Sequence, residues 1–431
     1  VPRGGDAGGR PAAAEPCAHD ASAQDVDVDR SFVVTSAPGS SSAPAAAASP
    51  GQCSVPGPEH RASCLEAAEA APGGAYAGGA LSAAEEAGPE QQKSWEFVVQ
   101  GQQDAAGAQP DFAPKVISCF PDDAVQRASS RGVVCVCTRG RRLDSGVPNQ
   151  DDFVAARHSL VHGGHIALYG VFDGHGPAGH RCAAFARGAL PESLFGQRTL
   201  LLKPEDTLRE AFRQTHENLL GQAFDTVHSG TTATLALVLS LPAAADAPDG
   251  ARAGEAWLFV AHVGDSRAIL ASHRSAGDPS AAFTVTALTR DHRPDDAEEA
   301  ERIQNNGGEI RRLRETSGAV RVFARGHDRP ALALTRSLGA SGATGCGVIA
   351  EPEVSAYRLR PGVDVLLLLG TDGLFEFCSN SGVAGQLLRD GLSASSLETV
   401  CGSSREMWSK SSYNETVDDI TAIAAALPSE A

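Results

Sequence analysis

Four acidic positions carry the chemistry this sequence can hold, because each stands where an apolar, strand-like run starts or stops. Asp173 follows His-Ile-Ala-Leu-Tyr-Gly-Val-Phe and opens Asp-Gly-His-Gly, and Asp372 follows Val-Asp-Val-Leu-Leu-Leu-Leu-Gly-Thr and opens Asp-Gly-Leu-Phe-Glu. Asp265 lies in a Gly-Asp turn between two apolar runs, a hairpin signature. Asp418 and Asp419 immediately precede the last run. Glycine beside aspartate permits close backbone approach and lets a carbonyl join the carboxylate as a ligand. Carboxylates that converge on one point repel one another unless a cation compensates. Oxygen-only ligands suit hard ions such as magnesium or manganese. Asp-Gly is also a turn dipeptide, and any one of these sites alone reads as a turn. Order and neighbours must decide.

The elements that would position these side chains begin near residue 131. Runs at 132–138, 165–172, 232–239, 256–263, 267–271, 283–288, 363–369 and 420–427 read as strands. Helical patterns lie between them at 177–195, 204–227, 294–306, 379–391 and 396–409; the second opens with Pro-Glu-Asp and the third ends at Gly307-Gly308. Strands in hairpin-like order with clustered helices indicate an α+β fold rather than a parallel sheet. The stretches 241–255 and 272–282 read as surface insertions. Residues 126–428 thus form one ordered domain, near the upper size of a single core. Residues 1–125 are acidic and rich in Ala, Gly, Pro and Ser, a composition that cannot bury enough surface to order itself, and they read as a disordered region. The patch Trp95-Glu96-Phe97-Val98-Val99 is taken as a chance apolar cluster within it, with a strand or docking element as the other reading.

Composition excludes several functions. Among 431 residues, 36 Lys and Arg stand against 53 Asp and Glu, a formal charge of −17, which argues against a nucleic-acid binder. No run approaches the roughly 18 apolar residues of a transmembrane helix. Ten cysteines without framework spacing read as reduced thiols, hence an intracellular protein of cytoplasm or nucleus. Residue 1 is Val, and a membrane anchor upstream stays open.

The decisive signal is a series of ten short elements in order. They are Asn149-Gln150-Asp151-Asp152, Val171-Phe172-Asp173-Gly174-His175-Gly176, Ser229-Gly230-Thr231-Thr232-Ala233, Ala261-His262-Val263-Gly264-Asp265-Ser266-Arg267-Ala268 and Leu288-Thr289-Arg290-Asp291-His292-Arg293-Pro294. Then follow Glu301-Arg302-Ile303 leading to Gly307-Gly308, Leu332-Ala333-Leu334-Thr335-Arg336-Ser337-Leu338-Gly339, Glu351-Pro352-Glu353-Val354, Gly370-Thr371-Asp372-Gly373 and Asp418-Asp419-Ile420-Thr421. This order resembles the metal-dependent protein phosphatases, the type 2C serine/threonine family, over nearly all of the ordered part.

The resemblance implies two stacked antiparallel β-sheets flanked by helices on both outer faces, with two magnesium or manganese ions at one edge and a possible weak third. By the same resemblance Asp173 bridges the two ions, the Gly174 carbonyl binds one, and Asp372 and Asp418 bind the other. Asp151 holds water of the metal shell, and Asp265, Asp372 and Glu376 form the weaker third position. His175 is the implied general acid. The phosphate is implied to be gripped by an arginine before the acidic pair, Arg142 or, second, Arg141. The substrates implied are phosphoseryl and phosphothreonyl proteins, attacked by a metal-activated water, in a monomeric catalytic domain. The chain departs from the family pattern at Gln150 for Glu, Ala340 for Asp, Phe375-Glu376 for Trp-Asp and Asp419 for Asn.

Two rival classes are weighed. A cysteine-dependent phosphatase would use Cys135-x5-Arg141, but Val133-Val134-Cys135-Val136-Cys137-Thr138 reads as a strand where such an enzyme needs a loop of backbone amides. A non-catalytic phosphatase-like binding protein would be expected to have lost metal aspartates, and none is lost here.

Overall fold

A computed structural model describes residues 24–25, 95–102, 109–143, 146–160, 163–241, 255–274, 282–313, 319–413 and 415–427. Two sheets are stacked face to face. One runs in the order Gln24–Asp25, Phe283–Ala287, Arg267–His273, Asp364–Gly370, Ile420–Ala426, Val133–Thr138. The other runs Glu353–Arg358, Ala256–Val263, Ala233–Ser240, His165–His175, Asp151–Ser159, Trp95–Gly101, Ile117–Phe120. Pairing is antiparallel throughout, except where Gln24–Asp25 meets Phe283–Ala287.

Period-two alternation explains the layering. Along His165–His175, Ala167, Tyr169 and Val171 face the other sheet, where they meet Ala268, Leu367, Leu369 and Ile423. Ile166, Leu168 and Phe172 face outward and pack on the helices Gly179–Gly196 and Pro204–Leu220. On the far side, Val134, Ile269, Leu366 and Leu368 pack on the helices Asn380–Asp390 and Ala394–Ser411. The expected sandwich with helices on both outer faces is therefore the observed one. The second predicted helix is shorter than expected, stopping at Leu220 before Gly221 and a turn closed by the Asp225 carboxylate.

A small third sheet, Gly308–Arg312, Val320–Ala324 and Pro330–Leu332, has its own core of Ile303, Val322, Ala343, Cys346 and Val348. It is anchored through Glu299 on the helix Ala297–Asn305. That buried carboxylate accepts from Arg302 at 2.6 and 2.7 Å, from Arg336 at 2.7 Å and from the Thr335 hydroxyl at 2.5 Å. These donors hold its pKa well below the ordinary 4.5 despite burial. Breaking such a pair strands two guanidinium groups, so Glu299→Gln is expected to lower stability by about 3–5 kcal/mol in urea unfolding at neutral pH. A depressed folded pKa contributes stability above the unfolded value that is lost as pH falls through the folded one. The gap between wild type and variant should accordingly narrow below pH 4.5.

The domain boundary drawn at residues 125 and 126 is corrected here. Trp95–Gly101 is a strand of the main sheet, paired with Asp151–Ser159 on one side and Ile117–Phe120 on the other. Trp95, Phe97, Val98 and Val99 are buried, so the patch taken as a chance cluster is core. Four strand-forming residues, Trp95, Phe97, Val98 and Val99, decide this locally, while the surrounding Ala, Gly and Pro dilute any average taken over the region. The disorder expected for the remainder of 1–94, and most of the two insertions 241–255 and 272–282, lie outside the described residues.

Candidate active site

Register places the first two carboxylates side by side. Asp151 and Asp173 are directly opposite on adjacent antiparallel strands. Asp173 is fixed by its neighbour Thr232, whose hydroxyl accepts the Asp173 amide at 3.0 Å and whose amide donates to the Asp173 carbonyl at 2.8 Å. Asp372 opens the short helix Asp372–Phe375 directly after Asp364–Gly370. Thr371, the residue before it, donates its hydroxyl to Asp151 at 2.8 Å and accepts the Thr421 amide at 3.1 Å, which ties three chain segments together. Asp418 lies between the bridge Arg141 to Val417 and the strand Ile420–Ala426. Asp265 sits in the hairpin turn between Ala256–Val263 and Arg267–His273.

Electrostatics shows that these side chains converge. Burial raises the Asp173 carboxyl well above its ordinary range, and Asp372, Asp151, Asp418 and Asp265 push it further. Asp372 is raised well above its range by burial, then by Asp265 and Asp418. Asp151 is pushed up to about 8 by burial and by Asp419, and Asp418 is raised by burial against the opposing pull of Arg142. Such a group is destabilising when ionised unless cations share it.

The donor set fits divalent ions. All the converging groups are carboxylates, and Asp372 Oδ1 is buried with no hydrogen-bond partner among the described residues. Gly174 is needed for closeness: a Cβ there would collide with the Gly179 carbonyl and lie 2.6 Å from that of Gln150. Third-position residues fit less well. Arg293 already lies among them, with Nε 2.8 Å from Asp265 Oδ2, Nη2 3.7 Å from Asp372 Oδ2 and 3.2 Å from Glu376 Oε2.

The two candidate arginines separate clearly. Arg141 is taken up by Asp111 at 2.9 Å and stacks over the Phe112 ring. Arg142 joins the acidic cluster, with Nη2 3.1 Å from Asp418 Oδ1 and 2.9 Å from Asp419 Oδ2, and its buried Nε has no hydrogen-bond partner among the described residues. Asp419, at 1% side-chain exposure, also accepts the Gly140 amide at 2.7 Å and the Gln150 amide at 2.8 Å, so it clasps the Arg142 loop to the first acidic strand. Gln150 turns its side-chain amide to the Gly176 carbonyl at 2.7 Å.

His175 ends the strand that carries Asp173. Its Nε2 lies 2.8 Å from Ser337 Oγ, and that hydroxyl in turn reaches the carbonyls of Thr231 and Leu338. Ser337 is thus the acceptor and the ring donates from Nε2. Burial lowers the imidazole pKa to about 4.

Sequence reasoning missed several neighbours. Lys115, buried and 36 residues before Asp151, donates Nζ to the Asp151 carbonyl at 2.5 Å. Arg187 pairs with Asp152 at 3.0 Å in a fully buried bridge. A cluster of His262, His292 and Glu353 has possible ligand atoms within 4.8 Å of one another. Hydrogen bonds use its nitrogens differently: His292 Nδ1 accepts the Gly264 amide at 3.1 Å, leaving Nε2–H toward Glu353, and His262 Nε2 lies against the Arg290 backbone, 2.9 Å from its carbonyl and 3.3 Å from its amide. The cluster braces the Gly264-Asp265 turn.

The thiol route finds no support. Cys135 lies within the strand Val133–Thr138 paired to Ile420–Ala426, and burial pushes its thiol up to about 12.

Comparison with known proteins converges on one family. The family model for protein phosphatase 2C matches residues 147–413. Probable protein phosphatase 2C 35 of Arabidopsis thaliana is 31% identical over 309 residues, covering 66% of this chain and 80% of the relative. Probable protein phosphatase 2C 72 of the same plant is 30% identical over 293 residues, covering 64% and 81%. A serine-threonine phosphatase 2C structure from Toxoplasma gondii superposes with a TM-score of 0.53 at 19% identity, covering 68% of this chain and 94% of that one. With ordered aspartates, matched segments and shared sandwich together, the chain belongs to the protein phosphatase 2C family.

Proposed function

We propose that this chain hydrolyses phosphoserine and phosphothreonine in proteins, using magnesium or manganese held by Asp173, Asp372, Asp418 and the Gly174 carbonyl. The observation that carries the reading is the convergence of Asp151, Asp173, Asp372 and Asp418, each raised above its ordinary pKa by burial and by its neighbours. Held by these residues, divalent ions would supply the positive charge that acidifies a water and steadies the phosphoryl oxygens. The protein's own part is orientation. Arg142, braced by Asp418 and Asp419, offers to a phosphate oxygen its Nε–H, which has no partner among the described residues. Asp151, held by Thr371, accepts a hydrogen bond from the attacking water. His175 protonates the leaving seryl oxygen, once the negative charge of the bound phosphate raises its basicity from the value that burial sets.

The cellular setting follows from the thiols. Cys119, Cys135, Cys137, Cys182, Cys346, Cys378 and Cys401 are all free, which supports a reducing compartment, cytoplasm or nucleus. No helix among the described residues is long and apolar enough to cross a membrane. The catalytic domain acts as a monomer on phosphoprotein substrates.

A phosphoserine peptide tests the reading. Turnover is expected with magnesium or manganese at millimolar concentration, to vanish with chelator and to survive thiol alkylation. Full turnover in chelator, or loss on alkylation alone, overturns it.

A further inference from the structure

Three carboxylates, Asp372 of the two-ion centre and Asp265 and Glu376 beside it, meet at one side chain, Arg293. Arg293 Nε donates to Asp265 Oδ2 at 2.8 Å, Nη1 and Nη2 lie 3.3 and 3.2 Å from Glu376 Oε2, and Nη2 lies 3.7 Å from Asp372 Oδ2. These are the residues assigned to a weak third ion. A guanidinium presents five donors in a fixed plane and keeps its charge at any physiological pH.

The backbone delivers Arg293 to this place firmly. His292, immediately before it, is fully buried; its amide donates to the Gly264 carbonyl at 3.0 Å and its Nδ1 accepts the Gly264 amide. Arg293 is therefore tied to the same turn that carries Asp265. The nearby Asp291 is already engaged by Arg267 through two hydrogen bonds of 2.8 and 2.7 Å, and Arg293 Nε is 3.9 Å from it. Glu376 suits this partner: its longer side chain brings Oε2 to 3.2 Å from the guanidinium. A divalent ion on the same oxygens would sit against a positive charge at contact distance and would have to displace three interactions.

We propose that Arg293 is a built-in cation that occupies the third-ion position, so that Asp265 and Glu376 hold a side chain rather than a metal. Arg293 is then a positioning residue: it neutralises Asp265 and pairs with Asp372, Nη2 lying 3.7 Å from Oδ2. The inference rests on the phosphatase reading for the identity of that centre, and its test is framed as a difference so that the two can fail separately.

The test counts manganese ions bound per full-length chain by calorimetry and by the fall in free Mn2+ paramagnetic resonance. Asp265→Ala should leave the count of the wild type unchanged. Arg293→Met should bind one more ion than the wild type, the added ion being the weakest, and Arg293→Lys should not. The double variant Arg293→Met with Asp265→Ala should lose the added ion. A fall in the count on Asp265→Ala alone overturns the proposal and does not depend on how the Arg293 variants fold. Equal counts for wild type and a folded Arg293→Met also overturn it. A wild type that binds no manganese sinks the two-ion reading, while the gain or its lack in Arg293→Met still decides this one.

Discussion

Asp372→Asn is expected to cut kcat/KM on a phosphoserine peptide by roughly 10^3-fold or more, while making the chelator-treated protein more stable. The first effect follows from the loss of charge stabilisation worth several kcal/mol at a reacting phosphoryl group, each 1.4 kcal/mol being tenfold. The second follows from the cluster itself. Asp372 is raised well above its ordinary pKa by burial and by Asp265 and Asp418, so its negative charge is unfavourable in the folded chain when no divalent ion is bound. Removing that charge relieves Asp173 as well. The pH dependence has a definite sign. A raised folded pKa gives stability that is complete below the unfolded value and is lost as pH rises through the folded one. For Asp151 the interval runs from 3.8 to about 8. Chelator-treated wild type should therefore melt at progressively lower temperature across that interval, Asp372→Asn should decline less, and added manganese should flatten the wild-type curve. Turnover within tenfold of wild type, or a variant no more stable than wild type in chelator, would argue that Asp372 is only the start of a short helix.

The aspartates were legible because their signal is local. Asp173 and Asp372 each sit at the end of a near-continuous apolar run of strand length, and the Gly that follows each announces close backbone packing. The layers were legible for the same reason, since runs such as Leu366 to Leu369 could only be buried. What escaped was long-range. The choice between Arg141 and Arg142 depends on Asp111, which lies 30 residues before Arg141 and has no motif around it. Lys115 comes from the stretch read as tail, and its contact with the Asp151 carbonyl exists only once that stretch enters the sheet. Arg293 was visible in its motif, but its role depends on the hairpin, on Asp372 and on Glu376 meeting in space. The small sheet from Gly308 to Leu332 was missed because its strands are only three to five residues long and Arg311, Arg312 and Arg321 interrupt their apolar pattern. His175 shows a different limit. Its place was clear from the motif, whereas the lowered pKa comes from burial that only the folded neighbours create.

A chain that starts at Ala124 is expected to lose cooperative folding, whereas one that starts at Glu90 should keep both fold and turnover. A compositional boundary near residue 125 would suggest that the shorter chain is complete, and the sheet says otherwise. Trp95, Phe97, Val98 and Val99 are all at most 6% exposed. Burying side chains of this size contributes roughly 1.5–3 kcal/mol each, so their loss approaches the roughly 5–15 kcal/mol total of an ordinary domain. The damage is also aimed at the site. Trp95–Gly101 pairs with Asp151–Ser159, the strand that carries Asp151, and its removal would leave that strand as an unpaired edge open to aggregation. Lys115, which donates to the Asp151 carbonyl, would go with it, as would Asp111, which holds Arg141 and Arg139. Glu96 would be lost too, and with it the bridges to Arg157 at 3.1 Å and Arg131 at 2.9 Å. Thermal melting and turnover of an aryl phosphate by the two truncated chains decide the matter. If the chain beginning at Ala124 melts within a few degrees of the longer one and turns over the ester at a similar rate, the strand is an accessory to the sheet and not part of what holds Asp151 in place.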